Sequence, residues 1–183
     1  SLNFLRKLSG VATETGKYVD KIGHTKSKIV DTRKTTPGFR TLEKYAVRMG
    51  GGFNHRQNLS DGILIKDNHV QTLSKENLGL KEVIQKAIRN ASHTIKVEIE
   101  VETVDDVKIA LEAGAEIIML DNMGLADIAS SVSLCKGRAI TEASGGINLS
   151  SVRSVAETGV DLISVGAITH SAPNLDLSMD IKK

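Results

Sequence analysis

Basic side chains recur early in the chain, in segments built for turns. Asp31 to Gly38, DTRKTTPG, sets Arg33 and Lys34 among small hydroxylated residues including Thr32, follows the apolar pair Ile29-Val30, and closes on Pro37-Gly38, a turn signal. Asn54-His55-Arg56 and Lys66 follow in segments that read as loops or strand ends. Cations held amid short hydrogen-bonding groups suit a small, highly charged anion.

A second set, of acids and glycines, occupies the later half. Glu100, Asp121 (IIMLDN), Glu142 with Ser144-Gly145-Gly146 (ITEASGG) and Gly166 (ISVGA) close successive apolar runs at intervals of 21, 21 and 24 residues. Such intervals match one strand plus one helix, so each repeat delivers a polar group to the same rim, where barrel enzymes carry their sites. Ser144-Gly145-Gly146 can offer a hydroxyl and backbone N–H groups to a phosphate, and Gly166 with His170 would complete that site. Glu100 and Asp121 are hard oxygen donors suited to Mg2+. Ion pairing with Lys34 or Lys66 is an alternative role compatible with the first.

With 183 residues and 40% hydrophobic content, one domain with one core is expected. Net charge is only +2, from 24 basic and 22 acidic residues, so the cations are a local arrangement on a balanced background. That balance, with 3% aromatic residues, gives no support to nucleic acid binding. The single cysteine, Cys135, excludes an internal disulfide framework and fits a reducing, cytoplasmic setting. It falls in a helical pattern leading away from the strand ends and reads as a packing or surface thiol. No apolar run of about 18 residues exists, so no membrane span is expected. His24 and His93 read as solvated, His69 as lining the site or bonding to backbone, and Asp105-Asp106 as favouring a helix start.

The elements that must position these residues follow from periodicity. An amphipathic helix is already under way at Leu2, Leu5 and Leu8 and runs to about Tyr18, which suggests that a preceding part is missing. Strands are expected at 26–32, 62–66, 94–101, 116–120, 139–143 and 162–165, with a possible seventh near 175–177. Helices are expected at 41–49, 78–91, 104–113, 126–134 and 151–157. Gly50-Gly51-Gly52 reads equally as a close approach to a ligand or as a flexible connector. Alternation of strand and helix implies a parallel sheet, doubly wound or closed into a barrel. In KVEIEVE, Val97, Ile99 and Val101 face one way while Glu98, Glu100 and Glu102 face the other. A polar barrel interior explains the acidic face, and a solvated edge strand is the alternative.

In this order, DTRKTTPG, GGGFNHR, ILIKDNH, VEIEVE, IIMLDN, EASGGI and ISVGAITHSAP closely resemble quinolinate phosphoribosyltransferases. The resemblance runs from Leu2 to about Asp180 and implies an incomplete, TIM-like α/β barrel of six to seven strands covering 1–183. It also implies a preceding α+β domain, absent here with an arginine donated to a neighbouring subunit, in a homodimer or hexamer. The implied reaction joins quinolinate to phosphoribosyl pyrophosphate with Mg2+, giving nicotinate mononucleotide, pyrophosphate and CO2. By the same likeness, Thr32, Arg33, His55, Arg56 and Lys66 correspond to quinolinate-binding positions. Lys34, Ser144, Gly145, Gly146, Gly166 and His170 correspond to phosphoribosyl pyrophosphate positions, with Lys34, Glu100 and Asp121 catalytic and the two acids at the metal. Non-decarboxylating transfer to nicotinate and a non-catalytic anion-binding module are the rival readings.

Overall fold

The computed structural model describes residues 1–74 and 78–181. Six parallel strands form one sheet: β1 (Lys28–Val30), β2 (Ile63–Ile65), β3 (Val97–Val101), β4 (Ile117–Asp121), β5 (Ile140–Ser144) and β6 (Leu162–Ser164). Their order is β1-β6-β5-β4-β3-β2, which is the chain order of a ring broken between β1 and β2. Helices α1 (Leu2–Ile22), α2 (Arg40–Met49), α3 (Asp67–Ser74), α4 (Leu80–Asn90), α5 (Val104–Ala113), α6 (Leu125–Cys135), α7 (Val152–Glu157) and α8 (Ala167–His170) complete the described elements.

The sheet is rolled. Flat, β1 and β3 would stand roughly 19 Å apart, four strand spacings. Yet Phe53 bridges Val30 at the edge of β1, and two residues later His55 Nε2 lies 3.1 Å from Glu98 on β3. Phe53 exchanges two backbone bonds with β1, donating to Ile29 O at 2.8 Å and accepting from Asp31 N at 3.0 Å. It is a single-residue substitute for a neighbouring strand.

Alternation then sorts the side chains. On β3 the valines and Ile99 join Ile118, Leu120, Ala143 and Ile163 in a core that includes Val83 and Ile84 of α4 and Val107 and Ala110 of α5. Glu100, Met119 and Glu142 are in register across β3, β4 and β5, and Asp121 is in register with Ser144, so these point to the inner side. The solvated-edge alternative for β3 fails, because β2 and β4 flank it on both sides. Its acids face an interior.

Local chemistry sets several boundaries. Thr103 caps α5 by accepting from Asp106 N, Asp105 and Asp106 fall in its first turn, and Gly114 ends it at φ 91°. The first helix is longer than the sequence suggests, burying Val11, Thr15, Tyr18 and Ile22 on one stripe. The Gly50–Gly52 run neither reaches the ligand cavity nor hangs loose. A Cβ on Gly50 would stand 2.7 Å from the Thr15 side chain and one on Gly52 2.8 Å from Val47, so the run lets the α2 end pack against α1. No seventh strand occurs among the described residues. Leu175 instead bonds Arg6 through its N–H and C=O, against a helix that offers no strand ladder.

Candidate active site

The loop after β1 is fixed by charges that α2 buries. Asp31, fully excluded from solvent, accepts from Lys44 Nζ, from Asn54 Nδ2 at 2.7 Å and from the His55 N–H at 2.8 Å. Lys44 also donates to His55 O at 2.9 Å. One buried carboxylate therefore ties the end of β1 to the segment carrying His55 and Arg56. Glu43, the next buried acid, accepts from the Thr36 N–H and hydroxyl, and Arg40 donates to Thr35 Oγ1 and to Arg33 O. These contacts hold DTRKTTPG in one conformation.

Two guanidinium groups project from this frame. Arg56 donates one N–H to Gly62 O at 2.9 Å, and the Arg33 Nε is buried without a partner. Burial, then the neighbouring Arg33, lowers the affinity of Arg56 for its proton. Like charges held together by the fold leave a demand for an anion. Lys34 is exposed, its carbonyl accepting from Thr169 Oγ1 at 2.7 Å, which ties this loop to α8.

The acids and glycines face them. Lys66 Nζ donates to Glu100 at 2.8 Å, so the ion pair foreseen for Glu100 forms. Asp121 accepts from Asn122 Nδ2 at 2.7 Å. Asn122 takes a left-handed conformation at φ 54° and donates its N–H to Ser144 O at 3.0 Å. Gly145, at φ 95°, passes so close that a Cβ would stand 2.8 Å from Asn122 N, whereas Gly146 faces open space. The glycine turn thus leaves room for the residue beside Asp121. Helix α7 starts only at Val152, after a turn organised by Asn148, so Ser144–Gly146 does not lead directly into it.

Thr32, Arg33, Lys34, His55, Arg56 and Lys66 line one cavity of about 750 Å3. Glu100, Asp121, Ser144, Gly145, Gly146, Gly166 and His170 line the same cavity, at the carboxyl ends of the strands. Every candidate residue meets at one mouth. His69 is not among the lining residues. Its Nδ1 accepts from Lys66 N at 3.0 Å as α3, a helix the sequence reading missed, begins. Cys135 is buried, its thiol pushed up to about 11 by burial, and takes no part. His24 pairs at the surface with Glu157, 3.3 Å away.

Sequence reasoning missed a cluster on the cavity floor. His55 Nε2 lies 3.1 Å from Glu98 and 3.6 Å from Glu142, whose side chains are 7% and 1% exposed. Burial draws the His55 pKa down, but the bond to Glu98 and the charge of Glu142 raise it on balance. Burial, then Glu98, holds the Glu142 carboxyl far above the usual range, to about 8. His55, Glu98 and Glu142 offer ligand atoms within 4.8 Å of one another, a metal-like spacing. However, the Arg56 N–H donates to His55 Nδ1 at 2.9 Å, so that nitrogen needs its lone pair and Nε2 carries the ring proton. The cluster is built for hydrogen bonds. For a hard cation, the carboxylates of Glu100 and Asp121, which both line the cavity, supply fitting oxygen donors.

Residues 11–180 match the family described as quinolinate phosphoribosyl transferase, C-terminal domain. The chain is 46% identical over 180 residues to a Bacillus subtilis protein named probable nicotinate-nucleotide pyrophosphorylase (carboxylating), covering 98% of this chain and 61% of that protein. A Mycobacterium leprae nicotinate-nucleotide pyrophosphorylase (carboxylating) is 43% identical, with 98% and 63% covered. The solved nicotinate-nucleotide pyrophosphorylase of Francisella tularensis superposes with a TM-score of 0.91 at 47% identity, over 97% of this chain and 61% of that one. The chain thus spans about three fifths of the length of these relatives.

Proposed function

Because the chain belongs to the quinolinate phosphoribosyltransferase family through its C-terminal domain, we propose that it carries the site for decarboxylating phosphoribosyl transfer to quinolinate. The products are nicotinate mononucleotide, pyrophosphate and CO2, a step of NAD biosynthesis. The observation that carries this reading is the convergence of early cations with later acids and glycines around one cavity.

The geometry suits the chemistry. A pyridine nitrogen has a free lone pair, so its attack on the ribose needs no general base. Arg33 and Arg56 hold the two ring carboxylates, with Thr32, His55 and Lys66 around them, and each charge-assisted contact contributes about 1.5–3 kcal/mol. Two carboxylates on one ring use more cations than the single one of nicotinate would, which favours quinolinate. Glu100 and Asp121 stabilise the positive charge that develops on the sugar, and Lys34 the negative charge on the departing pyrophosphate. Ser144, Gly145, Gly146, Gly166 and His170 cradle the 5′-phosphate. Mg2+, bound by Glu100 and Asp121, would neutralise pyrophosphate charge. After transfer the cationic ring nitrogen stabilises the carbanion that decarboxylation leaves on the adjacent carbon.

A homodimeric unit, with hexamers as a further assembly, fits the apolar groove in which Phe4, Leu5, Tyr45 and Met49 are exposed between α1 and α2. A cytoplasmic location goes with this reading, and no helix among the described residues is long and apolar enough to cross a membrane. Incubating the intact protein with quinolinate, phosphoribosyl pyrophosphate and Mg2+ tests the function. Release of pyrophosphate and CO2 in equal amounts is expected. Turnover of nicotinate without CO2, or binding of quinolinate without turnover, would establish one of the rival readings instead.

A further inference from the structure

Beneath the cations, His55, Glu98 and Glu142 form a cluster whose acids have no task in binding or transfer. Two carboxylates and an imidazole crowd a space largely shielded from water, where both acids cannot remain ionised without a large cost. His55 commits its Nε2–H to Glu98, because the Arg56 amide occupies Nδ1. Glu98, at 3.1 Å, is the nearer acceptor of that hydrogen, with Glu142 at 3.6 Å. The shared proton falls to Glu142, the more deeply buried acid, and burial followed by the charge of Glu98 pushes its carboxyl the same way. Oxygen Oε1 of Glu142 is buried with no hydrogen-bond partner, so surrounding groups do not lock that end of the acid. Glu142 also borders the ligand cavity.

We propose that Glu142, as the neutral acid, delivers the hydrogen that replaces the departing carboxylate on the pyridine ring. This rests on the decarboxylating reaction proposed above. The ring-to-carboxylate C–C bond breaks reversibly, the electron pair stays on the ring carbon, and CO2 leaves for good only once that pair is quenched. That pair takes the proton of Glu142 as its O–H bond breaks, leaving Glu142 a carboxylate. Nothing is oxidised or reduced. Glu142 recovers a proton from water once product departs, and its repulsion from Glu98 favours the recovery. Glu98, acting through His55 and Glu142, is a positioning residue.

The test follows pyrophosphate and CO2 separately in single turnovers of the intact protein. Glu142→Gln keeps the shape of the side chain and removes the proton. CO2 release is expected to fall at least tenfold more than pyrophosphate release, with quinolinate mononucleotide accumulating, and Glu142→Asp should restore part of the loss. Equal falls in both releases, or no fall, would overturn the proposal while leaving the transfer reading standing. If wild-type protein releases neither product, the transfer reading itself fails. Should Glu142→Gln not fold, wild-type protein in D2O still decides. A solvent isotope effect confined to the steps after pyrophosphate release supports an acid donor, and its absence rejects one.

Discussion

Lys44 and Asp31 form an ion pair that is almost wholly shielded from solvent, their side chains 3% and 0% exposed. The pair sits between the end of β1 and the segment carrying His55, so it positions both arcs of cations. Removing one partner strands the other charge. Lys44→Met is expected to lower stability by about 3–5 kcal/mol, read by denaturant unfolding of intact protein. A second change, Asp31→Asn, should recover part of that loss. Additive losses in the double variant would show that the two charges are not coupled.

The roles proposed for Arg56 and Lys34 separate binding from turnover. If Arg56 holds the aromatic acid as proposed, Arg56→Ala should raise its KM roughly 10- to 100-fold with a smaller effect on kcat. Lys34→Ala and Asp121→Ala should instead lower kcat, because their partners gain charge only as the bond to pyrophosphate breaks. Steady-state kinetics of the three variants provide the comparison, and unchanged constants would remove these roles.

Gly145 leaves space that no other side chain can share. A Cβ there would enter the Asn122 backbone, and φ 95° adds strain. Gly145→Ala should displace Asn122 together with Asp121 and cut turnover at least tenfold, while far-UV circular dichroism stays unchanged. A fully active alanine variant would rule out this coupling.

Glu142 gives stability a pH dependence of defined sign. Its folded carboxyl is raised from 4.5 to about 8, so the fold holds this proton more tightly than the unfolded chain does. The contribution is complete below about 4.5 and is lost as pH climbs through about 8. Melting temperatures of wild type should therefore decline over that range relative to Glu142→Gln, which has no proton to lose. Parallel curves would place the proton elsewhere.

Much of the fold could be read from local pattern. The bounds of α5 agree at both ends because Thr103 and Gly114 act through neighbours in sequence. The strand expected at 94–101 begins only at Val97, since Ile95 N turns back to Ser92 O. Helix α3 escaped notice because Asp67-Asn68-His69 looks like a turn and buries no side chain. Candidate site residues were legible where polar groups ended apolar runs. The floor cluster was not, because Glu98 meets His55 only once the sheet has rolled. Buried Lys44 and Glu43 were equally hidden, since charges on an amphipathic helix normally mark its wet face.

The single rung at Phe53 makes the circle of strands unequal in strength. Everywhere else, prising neighbours apart means unzipping a ladder, but at this seam two backbone bonds hold one side and the far side meets no partner strand. What closes the circle there is mainly side-chain chemistry: buried Asp31 accepts from Asn54 Nδ2 and the His55 N–H, and Lys44 donates to His55 O, so one carboxylate does at this seam what a ladder does elsewhere. The His55 amide hydrogen, bonded to that carboxylate, should exchange with solvent faster in Asp31→Asn than in wild type, while amides of β4 and β5 keep their protection.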